Sequence, residues 1–248
     1  MTADPHSLDT LAAALERART VAVLTGAGIS ADSGVPTFRD PESGLWAGFR
    51  PEELATPEAF ERDPDRVWQW YRWRRECIAA VAPNPGHHAL ARLAERLPDL
   101  RLITQNVDGL HQRAGHADVI EFHGNIHENL CHREQRPVTV DEASDEAPHC
   151  PRCGARVRPG VVWFGEEIPP RALARALAAG EACGLFIAVG TSAEVYPAAG
   201  LADLARRHGA RVAVVDPDEA AFSANTDIAV RGRAADVLPA LAVRVGAC

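Results

Sequence analysis

A short apolar run at residues 20–24 leads directly into a turn with two closely spaced glycines, Gly26 and Gly28. Glycines in such a turn let backbone N–H groups approach a pyrophosphate, and a following helix adds the partial positive charge of its amino terminus. The next glycine is Gly34, and no acidic residue follows an obvious second strand about 20 positions on, so the dehydrogenase fingerprint is not matched. The turn is predicted to bind a phosphate-containing ligand that need not carry a hydride, with an ordinary tight turn as the alternative.

Three residues beyond the glycines strengthen the ligand-binding interpretation. Pro36 fixes a rigid turn, Phe38 supplies an aromatic ring and Arg39 supplies a permanent cation. A simple strand-to-helix turn requires none of these, so we favour a binding loop that extends from residue 26 to residue 39.

Composition excludes several classes of protein. With 248 residues and 46% hydrophobic content, the chain is expected to bury a substantial core as one large domain or a domain with an inserted module. The net charge of −8 gives no general support for a nucleic-acid or anionic-membrane surface. The sequence has no apolar run of about 18 residues and no signal-peptide pattern, so we expect a cytoplasmic protein.

Lysine and cysteine usage narrows the chemistry further. All 26 basic residues are arginines, which excludes Schiff-base lysine chemistry and the P-loop lysine. Three of the six cysteines, Cys131, Cys150 and Cys153, cluster among histidines. In a reducing compartment such a cluster favours a metal site over disulfides.

Strand-like and helix-like segments alternate along most of the chain. Besides the run at 20–24, the predicted strands are 100–104, 118–122, 185–189, 211–215 and a short edge at 227–230. The predicted helices are 7–19, with Ser7 as candidate cap, 171–179 and 200–208. Residues 40–98 show no convincing strand and are interpreted as an inserted helical layer. The alternation predicts an α/β fold with a doubly wound parallel sheet.

Polar, glycine-bearing segments follow four of the predicted strands, at 26–39, 105–111, 122–125 and 190–194. In a doubly wound parallel sheet, ligands bind at the carboxyl ends of the strands. The four segments are therefore predicted to form one shared site.

Six segments match, in chain order, the motifs of one known family. They are Gly26-Ala-Gly-Ile-Ser30, Gly34-Val-Pro-Thr-Phe-Arg39, Thr104-Gln-Asn-Val-Asp-Gly-Leu-His111, His123-Gly124, Val161-Val-Trp-Phe-Gly-Glu166 and Gly190-Thr-Ser192. Together they resemble the sirtuins, which are NAD-dependent protein-lysine deacylases. The resemblance implies one catalytic domain over residues 1–248, in which a Rossmann-type sheet carries a small domain made of a helical insertion at about 40–98 and a zinc-ribbon-like module at about 126–160. NAD and an acylated lysine would meet between them.

For the cofactor, the resemblance implies a set of NAD-binding residues along the whole chain. They are Gly26, Ala27, Gly28, Ile29, Phe38, Arg39, Gln105, Asn106, Asp108, Gly190, Thr191, Ser192, Asp216 and Ala234. The glycine loop would hold the pyrophosphate, and Phe38 and Arg39 would close over the nicotinamide end. The family often has asparagine where this chain has Asp216, which accepts hydrogen bonds from ribose hydroxyls but no longer donates. An ordinary Gly-Thr-Ser turn is the alternative at Ser192.

The resemblance implies that His123 is the general base, close to Asn106 and Asp108 in the nicotinamide pocket. Once the acyl oxygen attacks the ribose carbon and nicotinamide departs, a ribose hydroxyl must lose a proton. Imidazole, with a pKa of about 6.5, suits that task. A histidine that merely caps a strand end is the alternative.

The acyl-lysine channel would be formed by Val162, Phe164 and Gly165, with backbone groups that pair with an extended peptide as an added strand. A plain buried strand is the alternative, which this run alone does not exclude.

The metal site departs from the family pattern of two Cys-x-x-Cys pairs. Cys150 and Cys153 form an intact pair, but Cys131 is followed by Glu134 where a cysteine is expected. Zinc also accepts carboxylate or imidazole, so Glu134 is the candidate fourth ligand, with nearby histidines as alternatives. We expect one structural zinc; a module that has lost its metal is the alternative.

Tyr71 and Arg74 lie three positions apart, so on a helix they share a face. Arginine binds a carboxylate bidentately and a phenol adds a hydrogen bond. A solvated arginine face or a nucleic-acid patch are the alternatives, and the overall acidity disfavours the second. With the small residue Ala55, the pair resembles the sirtuin branch that removes acidic acyl groups. We therefore expect desuccinylase and demalonylase activity, with glutaryl as a further substrate and weaker deacetylase activity.

Two rival functions stay open, a mono-ADP-ribosyltransferase with the same cofactor and a catalytically idle NAD-binding scaffold. The presence of Gln105, Asn106, Asp108 and His123 disfavours an idle protein. The expected partners are NAD, one zinc ion and proteins with acylated lysines, with no nucleic acid and no membrane; the oligomeric state is not predicted.

Overall fold

The computed structural model describes residues 4–35, 51–97, 99–191, 196–223 and 225–247. The strands within these ranges are β1 (Val21–Thr25), β2 (Leu100–Thr104), β3 (Val119–Glu121), β4 (Gly124–Cys131), β5 (Val157–Val161), β6 (Leu185–Val189), β7 (Arg211–Asp216) and β8 (Ile228–Arg231). Six of them form a parallel sheet in the order β3-β2-β1-β6-β7-β8, and β4 and β5 form a separate antiparallel ribbon. The predicted doubly wound α/β fold is confirmed.

The strand order reverses at β1, which pairs with β2 on one side and with β6 on the other. From β1 the chain passes outward to β3 and returns to β6. The carboxyl ends of β1 and β6 therefore flank the crevice in which sheets of this type bind ligands. The turn after β1, which the sequence predicts to bind phosphate, lies at this crevice.

The described α-helices are α1 (Pro5–Arg17), α2 (Gly28–Ala31), α3 (Pro51–Leu54), α4 (Pro57–Arg62), α5 (Pro64–Ala79), α6 (Pro85–Arg96), α7 (Leu110–Arg113), α8 (Pro170–Ala182), α9 (Gly200–Arg207) and α10 (Ala234–Arg244). Each is too short or too polar to cross a lipid bilayer.

Four helices begin with the same signal, a capping side chain followed by proline at the first helical position: α1, α4, α5 and α6. At α1 this signal corrects the predicted helix 7–19. The carboxylate of Asp4 accepts hydrogen bonds from the amides of His6 and Ser7, so Asp4 rather than Ser7 is the cap.

Both faces of the sheet are covered, as a parallel sheet requires. In the central strand, Val21 and Val23 pack into a buried cluster with α1, α6 and α10, which we call the main core. Ala22 and Leu24 point to the opposite face and pack with α8 and α9. The uninterrupted apolar run of β1 follows from this two-sided burial.

A third buried cluster joins α4 and α5 to the β4-β5 ribbon, and we call these elements the small lobe. Arg75 of α5 ties the helices to the ribbon, because its Nε donates to the Ile126 carbonyl at 2.6 Å and its Nη2 donates to Asn129 Oδ1 at 2.9 Å. Its Nη1 pairs with Glu142, between the two strands in sequence, at 2.8 Å. Helix α6 packs instead in the main core, although it lies within the range 40–98.

Candidate functional site

The turn after β1 packs directly against the turn after β6. The Gly26 amide donates to the Val189 carbonyl at 3.0 Å, and the Gly28 amide donates to the Gly190 carbonyl at 2.9 Å. A Cβ atom on Gly28 would lie 2.7 Å from the Gly190 Cα, and one on Gly190, whose φ is 58°, would lie 2.6 Å from the Ile29 nitrogen. Glycine is required because two backbones touch here. The Gly26 and Gly28 amides, which were expected to approach a pyrophosphate, thus donate to protein carbonyls.

A buried hydrogen-bond network links the ends of β1 and β2. Asn106 Nδ2 donates to the Gly26 carbonyl at 3.0 Å and to the Ser30 hydroxyl at 3.1 Å. The Ser30 hydroxyl donates to Asp108 at 2.7 Å, and Asp108 also accepts from the Leu110 amide at 2.9 Å. Burial raises the pKa of the Asp108 carboxyl, against the opposing effect of these two hydrogen bonds. The structure therefore brings Asn106 and Asp108 together and adds Ser30 between them.

Two buried histidines that sequence reasoning did not select lie beside this network. His87 Nε2 is 3.4 Å from the Ser30 hydroxyl, and His111 Nε2 is 3.0 Å from the Thr25 hydroxyl. Burial lowers the pKa of His87 to about 4 and that of His111 well below its ordinary value, so both rings are neutral at about pH 7. Ser30 and His111 stand inside the matched motifs, which was a usable signal. His87 belongs to a capping box with Asn84, which does not indicate where its ring lies.

His123 is oriented by the backbone of the neighbouring strand end. Its Nδ1 lies 3.0 Å from the Gln105 carbonyl oxygen. A carbonyl only accepts, so Nδ1 carries the proton of the neutral ring and Nε2 keeps its lone pair. Burial lowers the pKa of His123, and the bond to Gln105 opposes that shift. The Gln105 side chain donates to the Thr191 hydroxyl at 2.8 Å, which links the ends of β2 and β6.

The segment after β5 bridges the predicted base and the small lobe. The Val162 amide donates to the His123 carbonyl, and the Phe164 amide donates to the Ala55 carbonyl, both at 2.9 Å. Phe164 is 43% exposed, and Gly165 has a φ of 88°. Of the three residues predicted to contact the acyl-lysine, Val162 is thus bonded to His123 and Phe164 to Ala55, and Gly165 follows them in the chain.

Tyr71, on α5, is buried, and its hydroxyl accepts a hydrogen bond from the indole Nε1 of Trp163 at 3.0 Å. Burial raises the pKa of Tyr71 to about 12, so the phenol keeps its proton. The guanidinium carbon of Arg74 lies 5.0 Å from the centroid of the Trp70 ring, and its positive charge acts on Tyr71. Ala55 and Tyr71 belong to the same buried cluster, with Arg74 close by on the helix.

The three clustered cysteines meet in the zinc module. The sulfur atoms of Cys131, Cys150 and Cys153 all lie within 4.8 Å of one another, and three thiol donors at this separation fit a structural zinc ion. Glu134 stands apart from this group, because its carboxylate accepts a hydrogen bond from Arg152 Nε at 3.1 Å. It is the Glu134 amide that donates to the Cys131 sulfur, at 3.4 Å. The carboxylate would therefore have to leave Arg152 before it could bind zinc.

Comparison with known proteins identifies the family. A sequence model described as the Sir2 family matches residues 26–197. The chain belongs to the Sir2 family. NAD-dependent protein deacylase 1 of Pseudomonas aeruginosa is 48% identical over 236 residues, which are 92% of this chain and 94% of that protein.

Solved Sir2 structures agree with this assignment. A Sir2 homologue in complex with NAD is 42% identical, with a TM-score of 0.89 over 96% of this chain and 93% of that one. A Sir2 protein bound to an acetylated peptide is 30% identical, with a TM-score of 0.85 over 97% of this chain and 99% of that one. These matches confirm the predicted sirtuin family and NAD as its cofactor.

The remaining predicted NAD-binding residues of this Sir2 chain lie in several places. Asp216 ends β7, and its carboxylate accepts from the Asp218 amide at 2.9 Å. Ala234 begins α10 and, like Ile29, has its side chain in the main core. Three predicted residues lie outside the described residues, namely Phe38, Arg39 and Ser192.

Proposed function

We propose that this Sir2 chain is an NAD-dependent protein-lysine deacylase that prefers succinyl and malonyl groups, with glutaryl as a further candidate, over acetyl. The products would be nicotinamide, O-acyl-ADP-ribose and free lysine. The deacylase name of the relative in Pseudomonas aeruginosa and the Sir2 structure bound to an acetylated peptide support the general activity. The acyl preference rests on Tyr71, Arg74 and Ala55 of this chain. Cytoplasmic location is part of the same proposal, since three clustered free thiols suit a reducing compartment.

The orientation of His123 is the observation that carries the proposal. When bound, NAD supplies a ribose carbon that receives the acyl oxygen as nicotinamide leaves, and a ribose hydroxyl that loses a proton. His123 would take that proton on Nε2, because Nδ1 is held by the Gln105 carbonyl at 3.0 Å. The lowered pKa of His123 keeps Nε2 unprotonated at about neutral pH.

The network around Ser30 supports a preorganised site for the nicotinamide end of NAD. Asn106 and Asp108 are already fixed by hydrogen bonds to Gly26 and Ser30, so these side chains lose little conformational entropy when the ligand binds. The segment 26–29 and the ends of β6 and β7 would hold the rest of the cofactor across the crevice of the sheet.

The proposed seat of the acyl-lysine is formed by Val162, Phe164 and Gly165, because Val162 is bonded to the base and backbone carbonyls of these residues would pair with an extended peptide. The acyl carboxylate would reach the small lobe, where Arg74 supplies a permanent positive charge and Tyr71 a protonated phenol. Ala55, with its small side chain, would leave room for the longer acyl chain.

The experiment is to incubate the purified protein with NAD and a succinyl-lysine peptide and to follow both by mass spectrometry. The proposal predicts unmodified lysine peptide and O-succinyl-ADP-ribose in equal amounts. His123→Ala should abolish turnover while NAD affinity stays within about threefold, because the base acts after binding. ADP-ribose attached to protein would instead indicate a transferase, and unchanged NAD and peptide would indicate a scaffold.

A further inference from the structure

The hydrogen bond between Trp163 and Tyr71 has only one possible direction. Indole nitrogen is a donor only, so Trp163 Nε1–H donates and the Tyr71 hydroxyl oxygen accepts, at 3.0 Å. Both side chains are buried, at 2% and 4% exposure. Because the phenol oxygen accepts here, its own proton is left to donate elsewhere.

The Trp163 indole is itself fixed from several sides. The guanidinium carbon of Arg158 lies 3.4 Å from the centroid of the Trp163 ring, and the Phe60 ring lies 5.2 Å away at an angle of 43°. The Trp163 backbone amide donates to Glu166 at 2.8 Å. The indole N–H therefore points in a fixed direction.

Arg158 is fixed in turn by an ion pair beneath the indole. Its two terminal nitrogens both donate to the Glu166 carboxylate, and one of them also donates to the Val161 carbonyl at 2.8 Å. Bidentate pairs of this kind restrict orientation as well as adding energy. The order of contacts runs from Glu166 through Arg158 and Trp163 to the hydroxyl of Tyr71.

We propose that Trp163 is a positioning residue for acyl selection, whose indole N–H holds the Tyr71 oxygen so that the phenol proton is presented to the acyl carboxylate beside Arg74. This inference rests on the proposed preference for acidic acyl groups. A hydrogen bond received by a hydroxyl also strengthens the one it donates, so the indole aids the phenol as well as orienting it.

The test is the replacement Trp163→Phe. Phenylalanine keeps a six-membered aromatic ring over Arg158 but lacks the five-membered ring of indole and its N–H. We expect kcat/KM for a succinyl-lysine peptide to fall about fivefold, chiefly through KM, which corresponds to one net hydrogen bond. Turnover of an acetyl-lysine peptide should stay within about twofold of wild type in the same variant.

Trp68→Phe is the matched control. Trp68 is equally buried in the small lobe, its Nε1 donates to the Ser144 carbonyl at 3.2 Å, and Arg75 lies over its ring at 5.1 Å. It has the same kind of contacts but no hydrogen bond to Tyr71. The ratio of succinyl to acetyl kcat/KM should therefore be unchanged in Trp68→Phe.

A double-mutant cycle with Tyr71→Phe distinguishes a role of Trp163 in positioning Tyr71 from a role of Trp163 in the stability of the fold. In the Tyr71→Phe background, Trp163→Phe should cause no further loss of succinyl turnover, because the hydroxyl on which it acts is gone. In the proton NMR spectrum, the Trp163 indole N–H signal is identified as the one that is missing in Trp163→Phe. This signal should shift in Tyr71→Phe.

Any one of three results would overturn the inference: equal losses for both peptides in Trp163→Phe, an undiminished further loss in the Tyr71→Phe background, or an unshifted indole signal in Tyr71→Phe. The proposed function is tested separately, with the wild-type protein alone. It fails if the wild type shows no preference for succinyl-lysine over acetyl-lysine.

Discussion

The Nδ1 atom of His123 lies 3.0 Å from the carbonyl oxygen of Gln105. His123 follows β3 and Gln105 follows β2, and these strands are neighbours in the sheet. The sheet order therefore sets the direction in which the imidazole points, and the orientation exists before a ligand binds. The tautomer is set by the same contact, because a carbonyl requires a proton on the facing nitrogen.

The lowered pKa of His123 predicts how activity depends on pH. Burial lowers that pKa below its ordinary value of about 6.5, and the base works only when unprotonated. Activity should be lost as the pH falls through the lowered pKa, so the acid limb of kcat/KM should lie below about pH 6.5. The measurement uses an acetyl-lysine peptide, which has no acyl carboxylate to titrate. An acid limb centred above about pH 7 would contradict the assignment.

Ser30→Ala tests the network between β1 and β2. The variant removes a donor to buried Asp108 and an acceptor for Asn106, so stability should fall by about 1–3 kcal/mol and NAD affinity should weaken. Ser33→Ala is the control, because the half-buried Ser33 hydroxyl accepts from Asn84 Nδ2 at 3.0 Å and, within the described residues, has no hydrogen bond to Asp108 or Asn106. Urea unfolding and NAD titration measure both effects. Equal, small changes in the two variants would mean that the network contributes neither to stability nor to NAD binding.

Gly190→Ala tests whether the two strand-end turns must touch. Gly190 and Gly115 both have positive φ, so alanine at either costs about 1–2 kcal/mol in backbone strain. Only at Gly190 does the new methyl group meet backbone, at 2.6 Å, whereas nothing lies within 4 Å at Gly115. Gly190→Ala should therefore cost about 1–3 kcal/mol more than Gly115→Ala in urea unfolding. Equal losses would refute the close approach.

The sequence predicted each strand of the parallel sheet to within one residue at either end, because the strands are continuous apolar runs bounded by polar turns. It also predicted that residues at the strand ends would converge. It did not predict the hydrogen bond between Tyr71 and Trp163, which are 92 positions apart and meet only through packing of the small lobe. Nor did it predict the place of His87, whose ring contacts Ser30 from a helix start.

The cysteine cluster predicts about one zinc per chain. Metal binding in such modules is coupled to folding, so Cys150→Ala should lose the zinc and unfold or aggregate. Elemental analysis and circular dichroism measure the two effects. A stable, active, metal-free protein would show that the module folds without zinc.

We retain Glu134 as the proposed fourth zinc ligand, to be tested by comparison with Arg152. Glu134→Ala should release zinc to a chelator faster than wild type, whereas Arg152→Ala frees the carboxylate and should not. Zinc retained by Glu134→Ala as tightly as by wild type would exclude the carboxylate as a ligand.

The most direct test of the central claim compares kcat/KM for succinyl-lysine and acetyl-lysine peptides in wild type and Arg74→Met. An acyl carboxylate left without its cation should cost about 2–5 kcal/mol, so succinyl turnover should fall by about thirtyfold or more in the variant, with acetyl turnover nearly unchanged. Arg72→Met is the control, because Arg72 on the same helix pairs with Asp145 and Glu76 at the surface. Wild type should prefer succinyl-lysine, and only Arg74→Met should lose that preference. Parallel changes for both peptides, or no preference in wild type, would contradict the account.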